Sequence, residues 1–140
     1  MIRNILAIPL GFIVGSIVNM GLVTVGPMII PPPEGADVSN MESLAATMHL
    51  FEPKHFVAPF LAHALGTLVG ALLAFLIASS HKQKMAYVIG GLFFLGGAYA
   101  SYLLPAPTWF MVLDMLVSYI PMAFLAIFLG QKILPNKETE

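Results

Sequence analysis

The stretch FVAPFLAHALGTLVGALLAFLIAS, residues 56–79, contains no Lys, Arg, Asp or Glu. A helix needs about 20 consecutive apolar residues to cross a hydrocarbon core of about 30 Å. Further along the chain, Asp114 is the only charged residue between Met85 and Gln131. These segments predict a protein built from membrane-spanning helices.

The composition supports this interpretation and excludes several other classes. The chain has 140 residues, of which 59% are hydrophobic and 9% are charged, whereas soluble domains carry about 25% charged residues. Its length fits a single domain. The net charge of −1 argues against a nucleic-acid partner, which requires a basic surface. The absence of cysteine excludes disulfides, thiolate metal sites and cysteine nucleophiles.

Outward from the opening stretch, the sequence predicts an all-α membrane protein that folds as a four-transmembrane-helix bundle. The predicted spans cover residues 5–25, 56–79, 86–104 and 109–130, with a first loop over 31–54. The apolar run of the first span is longer than a signal peptide requires and lacks an A-x-A cleavage site, so we expect it to be retained.

The basic residues predict the orientation of the bundle. One side carries five of the six, namely Arg3, Lys82, Lys84, Lys132 and Lys137, and the other side carries Lys54. Because cytoplasmic loops are enriched in Lys and Arg, we expect both termini in the cytoplasm and the first loop outside. The lone tryptophan, Trp109, begins the fourth span and is a natural interface anchor.

The first loop contains its own helical signal. Ser39 and Glu42 have the spacing of a capping box. Apolar residues then recur at helical spacing at Met41, Leu44, Ala45, Met48 and Phe51. The pattern predicts a short amphipathic helix on the outer membrane surface that ends at Pro53. A lid packed on the bundle would show the same pattern.

Small residues predict how the spans pack, since close approach of helices in lipid depends on them. In the second span Gly66 and Gly70 belong to a four-residue ladder, and the first span offers Gly11 and Gly15. We expect these stripes to pack within one chain, with dimerisation as the alternative. Pro121 removes a hydrogen bond to the carbonyl of Val117 and predicts a kink in the fourth span. Alternatively, the freed carbonyl could coordinate an ion.

Four polar residues fall in one layer of the predicted bundle. From the helical rise, His63, Asp114 and Asn19 lie about 10, 8 and 12 Å below the outer boundary. Tyr99 near the end of the third span lies at comparable depth. Ionisable groups inside a membrane point to function by default. We therefore predict an intramembrane polar pocket of Asn19, His63, Tyr99 and Asp114, although a His–Asp pair can also serve only to hold helices together.

A second polar group lies in the first loop. His49, Glu52 and His55 are three residues apart, and His–carboxylate–His sets can bind zinc or a similar metal. Pro53 interrupts any continuous helix through them. An ordinary polar membrane interface is the alternative interpretation. The sequence does not identify a cofactor.

Three classes of function fit these features. We expect transport or permeation of a proton, an ion or a small polar solute, and four short helices would need a homo-oligomer to enclose a path. The alternative is an accessory subunit of a larger membrane complex. A membrane-embedded enzyme is third, because no catalytic motif is present and Ser101 is the only nucleophile near the predicted pair.

The segments PPPEG (31–35), FEPKHF (51–56), AHALGTLVGA (62–71) and PAPTWFMVLDM (105–115) resemble those of small four-span bacterial inner-membrane proteins. The resemblance covers nearly the whole chain. It implies the four-span topology and a bacterial cytoplasmic membrane, and it implies no particular activity.

Overall fold

The computed structural model describes residues 2–134, and this part of the chain is all-helical. Its helices are α1 (Ile2–Ile29), α2 (Met41–Thr47), α3 (Val57–Ile77), α4 (Lys82–Leu103), α5 (Thr108–Val117) and α6 (Ile120–Ile133). Four stretches are long and apolar enough to cross a membrane: Ile2–Ile29, Pro53–Ile77, Lys82–Leu103 and Thr108–Ile133. The prediction of four apolar spans is therefore confirmed, and the architecture is that of a multi-pass membrane protein.

Helix α3 is the centre of the bundle and packs against α1, α4 and α6. Its contact with α1 is the most extensive, and glycines make it possible. A Cβ added to Gly11 would lie 2.6 Å from the carbonyl oxygen of Gly70, and one on Gly15 would lie 2.6 Å from that of Gly66. The two glycine stripes that the sequence shows in separate spans thus meet within one chain.

A second core joins α3 to α4 and α6. Phe75, Ile89, Phe93 and Ile127 are buried there together with several alanines. Glycines again admit the large side chains, because Gly130 faces the ring of Phe75. This core fills the half of the bundle that carries residues 2–4, the 78–81 turn and the end of α6, which we call the terminal end.

The fourth span, Thr108–Ile133, is interrupted close to Pro121, the residue at which the sequence predicts a kink. Helix α5 ends at Val117 and α6 begins at Ile120, so that Ser118 and Tyr119 lie between them. Pro121 is the second residue of α6, where a missing N–H costs little because first-turn N–H groups have no partner within the helix. The break turns Tyr119 into the bundle, where it is 1% exposed.

The opposite end of the bundle, which carries residues 30–56 and the 104–107 turn, is the loop end. Asn40, and not Ser39, caps α2, and its Oδ1 accepts a hydrogen bond from the Ser43 amide at 2.9 Å. Ser39 instead donates its backbone N–H to Asp37 Oδ1 at 2.9 Å, and hydrogen bonds from Ser39 hold the pKa of Asp37 below its usual range. The capping-box prediction is therefore wrong by one residue.

The second half of the first loop packs against the ends of the helices. Met48 is buried together with Phe56 and Phe110, and Leu44 and Phe51 pack against them. Trp109 stands edge-on to the Phe56 ring, with ring centroids 5.7 Å apart.

At the terminal end, the start of α1 closes the turn after α3. The Asn4 side chain accepts hydrogen bonds from the Ser79 and Ser80 amides at 2.8 and 3.2 Å. Arg3 Nε donates to the carbonyl oxygen of Ile77 at 2.8 Å, where a cation complements the carboxyl end of a helix. Lys137, one of the basic residues used for the orientation, lies outside the described residues.

Candidate intramembrane site

Asp114 is the centre of a buried polar cluster. It lies near the end of α5 and is 2% exposed. Its Oδ2 accepts a hydrogen bond from the Tyr119 hydroxyl at 2.7 Å and lies 2.8 Å from His63 Nδ1. Its Oδ1 accepts a hydrogen bond from the Ser118 hydroxyl at 2.7 Å. Both carboxylate oxygens are therefore satisfied, as burial in a medium of low polarity requires.

The break in the fourth span assembles this cluster. Ser118 lies one helical turn after Asp114, so its hydroxyl reaches back to the carboxylate. Tyr119 follows with backbone angles of φ −118° and ψ −80°, outside the helical region. Its ring then turns towards His63, with ring centroids 5.9 Å apart.

His63 connects the buried carboxylate to a cavity between α1 and α4. Because an ionised carboxylate only accepts hydrogen bonds, Nδ1 is the ring nitrogen that donates to Asp114. The other ring nitrogen, Nε2, is not engaged by Asp114. The side chain of His63 is 22% exposed, and it forms part of the cavity wall.

The cavity has a volume of about 280 Å³. Its polar lining comes from Ser16 and Asn19 of α1, from His63, and from Tyr119. The remaining lining residues are apolar or glycine: Phe12, Met20, Leu92, Phe93, Gly96, Gly97 and Ala100. The site is thus a small amphipathic cavity with a titratable group in its wall.

Towards the terminal end, the cavity is closed. The rings of Phe12 and Phe93, which line the cavity, lie 5.4 Å apart on that side. The core around Phe75 and Ile89 follows. A second cavity of about 520 Å³ at the terminal end, lined in part by Lys82 and Lys84, shares no lining residue with it. These two cavities are therefore separate in the part of the chain that the structure describes.

The structure brings together three of the four residues predicted for the pocket. Asn19 and His63 line the cavity, and Asp114 lies behind His63. Tyr99 does not take part, because it is 66% exposed on the outer face of α4. Gly97 faces inward, and two residues turn a helix by about 200°, so Tyr99 points away from the bundle.

The tyrosine of the site is Tyr119, which the sequence analysis missed together with the hydrogen-bonding role of Ser118. The spacing of Ser118 and Tyr119, four and five residues after Asp114, was the available signal. Gly97 was a second signal, because the Tyr119 hydroxyl occupies the space that a side chain there would fill.

The cluster does not have the connectivity of a hydrolytic triad. In such a triad a histidine lies between the nucleophile and the carboxylate. Here Asp114 lies between Ser118 and His63, with hydrogen bonds of 2.7 and 2.8 Å. Ser101 takes no part in this cluster. Ser118 therefore donates its hydrogen bond to the carboxylate and not to the histidine.

The metal site predicted at His49, Glu52 and His55 is not formed. Within the described part of the chain, no three His, Asp or Glu side chains converge as a metal site would require. His55 Nδ1 accepts the Glu52 backbone N–H at 2.9 Å, and His49 Nδ1 lies 3.1 Å from the Ala46 carbonyl oxygen. Lys54 pairs with Glu52 at 2.9 Å and lowers the pKa of that carboxyl. Glu52 and His55 thus form a capping box on the helical turn that leads into α3.

Comparison with protein-family models, with curated proteins and with solved structures finds no match to this chain.

Proposed function

We propose that the protein is a proton-linked membrane transporter that binds a small solute in the cavity between α1 and α4. The observation that carries the proposal is the position of His63. Its Nδ1 is hydrogen-bonded to a carboxylate that is 2% exposed, and the same ring lines the cavity. Intramembrane ionisable groups that face a cavity typically mark proton and substrate pathways.

The geometry suits proton exchange with the cavity. A proton that reaches Nε2 creates an imidazolium ion, and the Asp114 carboxylate 2.8 Å from Nδ1 compensates its charge. Ser118 and Tyr119 hold the carboxylate in place through both oxygens. The ring can therefore gain or lose a proton on its cavity side without rearrangement of its buried partner.

Movement across the membrane needs a change of shape, because Phe12 and Phe93 close the cavity towards the terminal end. The break between α5 and α6 lies beside the site, and discontinuous helices form the substrate and ion sites of many transporters. A second copy of the chain, as expected for a homo-oligomer, would supply the enclosing surface that four helices lack.

The proposal includes a location. The described basic residues of the terminal end are Arg3, Lys82, Lys84 and Lys132, and the described acidic residues outside the spans all lie in the first loop. This distribution supports a cytoplasmic terminal end. We place the protein in a bacterial cytoplasmic membrane with both termini inside.

Proton flux into liposomes tests the proposal. Purified protein would be reconstituted with a pH-sensitive dye inside, and a potassium diffusion potential would drive proton entry. We expect flux above that of protein-free liposomes, its loss in His63→Gln, and its retention in His49→Gln, a matched change at an exposed histidine of the loop.

Wild-type flux equal to that of protein-free liposomes would show that the transport proposal is wrong. If His63→Gln also lowered thermal stability, the cluster would serve to hold the helices together. The accessory-subunit function would then lead, and co-purification from the native membrane would identify the partner.

A further inference from the structure

We infer that the ligand of the cavity between α1 and α4 is a membrane-dissolved amphiphile with an O–H head, and that it enters sideways from the bilayer. Transport of this molecule rests on the function proposed above, but its binding does not. Binding and transport are tested separately below.

The mouth of the cavity faces lipid. Its rim residues Phe12, Met20 and Leu92 are 41%, 61% and 39% exposed. Phe12 and Leu92 each lie ten residues from the terminal end of their helix, which is about 15 Å at the helical rise. In a hydrocarbon core of about 30 Å, this position is near the middle of the membrane.

This opening arises because α1 packs more closely on α3 than on α4. Helix α1 packs along α3 and makes far fewer contacts with α4. Beyond the Phe12–Phe93 pair, α4 presents Gly96 towards the mouth, and a Cβ there would meet no atom within 4 Å. A crevice open to lipid therefore lies between the two helices.

The inner wall requires a polar but uncharged head. Its polar groups are the Ser16 hydroxyl, the Asn19 amide and the His63 imidazole, and no Lys, Arg, Asp or Glu lines the cavity. Without a fixed charge in the wall, a permanent ion would be bound at high cost in this medium. The head therefore arrives neutral.

His63 then specifies a donor on that head. With Nδ1–H directed at Asp114, Nε2 of the neutral ring is a hydrogen-bond acceptor. An alcohol, phenol or carboxylic acid supplies the matching O–H. For a carboxylic acid the proton can transfer completely: the O–H bond breaks, an Nε2–H bond forms, and the products are a carboxylate and an imidazolium next to Asp114.

The volume limits what enters. About 280 Å³ is at or below the low end of small-ligand pockets, which start near roughly 300 Å³. The head and its first carbons fit inside, and a longer chain must extend past the rim into lipid. A single-chain amphiphile meets both conditions.

Binding to protein in lipid nanodiscs tests the inference, with radiolabelled decanoic acid and 1-decanol as probes and empty nanodiscs as background. Gly96→Leu fills the mouth. Gly91→Leu is its matched control, because Gly91 is also in α4, also has no atom within 4 Å of an added Cβ, and does not line the cavity. We expect saturable binding that Gly96→Leu and His63→Gln weaken at least tenfold and Gly91→Leu leaves within twofold.

Methyl decanoate has the same acyl tail as decanoic acid but no O–H, so it tests whether the cavity recognises the head or only the tail. If it competes as well as decanoic acid, the cavity takes any lipid tail and the inference is wrong. Equal binding by Gly96→Leu and Gly91→Leu would also overturn it, since entry would not be lateral. Specific binding without any proton flux would support the inference and refute transport. Proton flux without binding of either probe would support transport and refute the inference.

Discussion

At the scale of single residues, three hydrogen bonds hold the buried carboxylate of Asp114. Tyr119, Ser118 and His63 each contribute one, at 2.7, 2.7 and 2.8 Å. Removing one donor from a buried charged acceptor leaves the acceptor only partly satisfied. In membrane proteins the measured penalty is moderated, because the unfolded chain in the membrane finds other partners.

Tyr119→Phe therefore has a defined expectation. We expect it to lower the free energy of unfolding by about 1 kcal/mol, between the averages for hydrogen bonds in membranes and to charged groups. The matched control is Tyr102→Phe, because Tyr102 is 85% exposed whereas Tyr119 is 1% exposed. Unfolding of both variants in mixed micelles, followed by circular dichroism, measures the difference. Equal effects would show that the Tyr119–Asp114 hydrogen bond contributes nothing.

Depth along a helix can be predicted from the sequence, but direction around it is harder to predict. The depths of His63 and Asp114 follow from the helical rise, and the structure places them in contact. The choice of Tyr99 was wrong because depth does not tell which face of α4 points inward. Tyr119 was missed because its direction depends on the helix break, which is a tertiary feature.

At the scale of helices, the packing of α1 on α3 depends on four glycines that have no room for a side chain. A Cβ at Gly70 would lie 2.7 Å from the carbonyl oxygen of Gly11, and one at Gly66 would lie 2.9 Å from that of Gly15. Because the obstructing atoms are backbone, relief requires the helices to separate. Overpacking of this kind costs about 1–3 kcal/mol.

Gly11→Ala tests this packing against Gly21→Ala in the same helix. We expect Gly11→Ala to destabilise the protein by about 1–3 kcal/mol. Gly21→Ala should be neutral or stabilise by up to about 1 kcal/mol, because a Cβ there meets no atom within 4 Å and Ala favours helix. Thermal unfolding in detergent compares the two. If Gly11→Ala is as stable as Gly21→Ala, α1 and α3 do not pack as closely at Gly11 as the structure shows.

The helix break gives a second prediction at this scale. Pro121→Ala restores an N–H that can bond the Val117 carbonyl. We expect the two halves of the fourth span to join, which draws Tyr119 away from Asp114. Amide hydrogen exchange should slow at Tyr119 and Ile120 by at least tenfold, and proton flux should fall. Unchanged exchange there would show that the break is maintained by the Asp114 cluster and not by the proline.

The spans could be predicted because length and apolar composition suffice for them, whereas breaks and caps depend on local competition. The apolar run of 109–130 gives no sign that it contains two helices, apart from Pro121. Asn40 caps α2 in place of Ser39 because the Ser39 amide is bonded to Asp37. In both cases the structure depends on which local hydrogen bonds form, and residue spacing alone does not predict this.

At the scale of the whole molecule, the two ends of the bundle differ in charge and in construction. In the described chain the terminal end carries only basic charged side chains, and Arg3 and Asn4 fasten the start of α1 to the end of α3. The loop end carries Glu34, Asp37, Glu42 and Glu52 with Lys54. This asymmetry is the basis of the single orientation proposed above.

Because the chain contains no cysteine, single-cysteine variants report this orientation directly. Ser39 in the first loop and Gln83 at the start of α4 are both exposed and lie at opposite ends of the bundle. We expect a membrane-impermeant maleimide to label Ser39→Cys in intact cells and Gln83→Cys only after permeabilisation. Labelling of Gln83→Cys in intact cells would place the terminal end outside, and labelling of both would mean two orientations coexist. The first result would reverse the proposed direction of transport, whereas the second would mean that no direction can be assigned from the charge distribution.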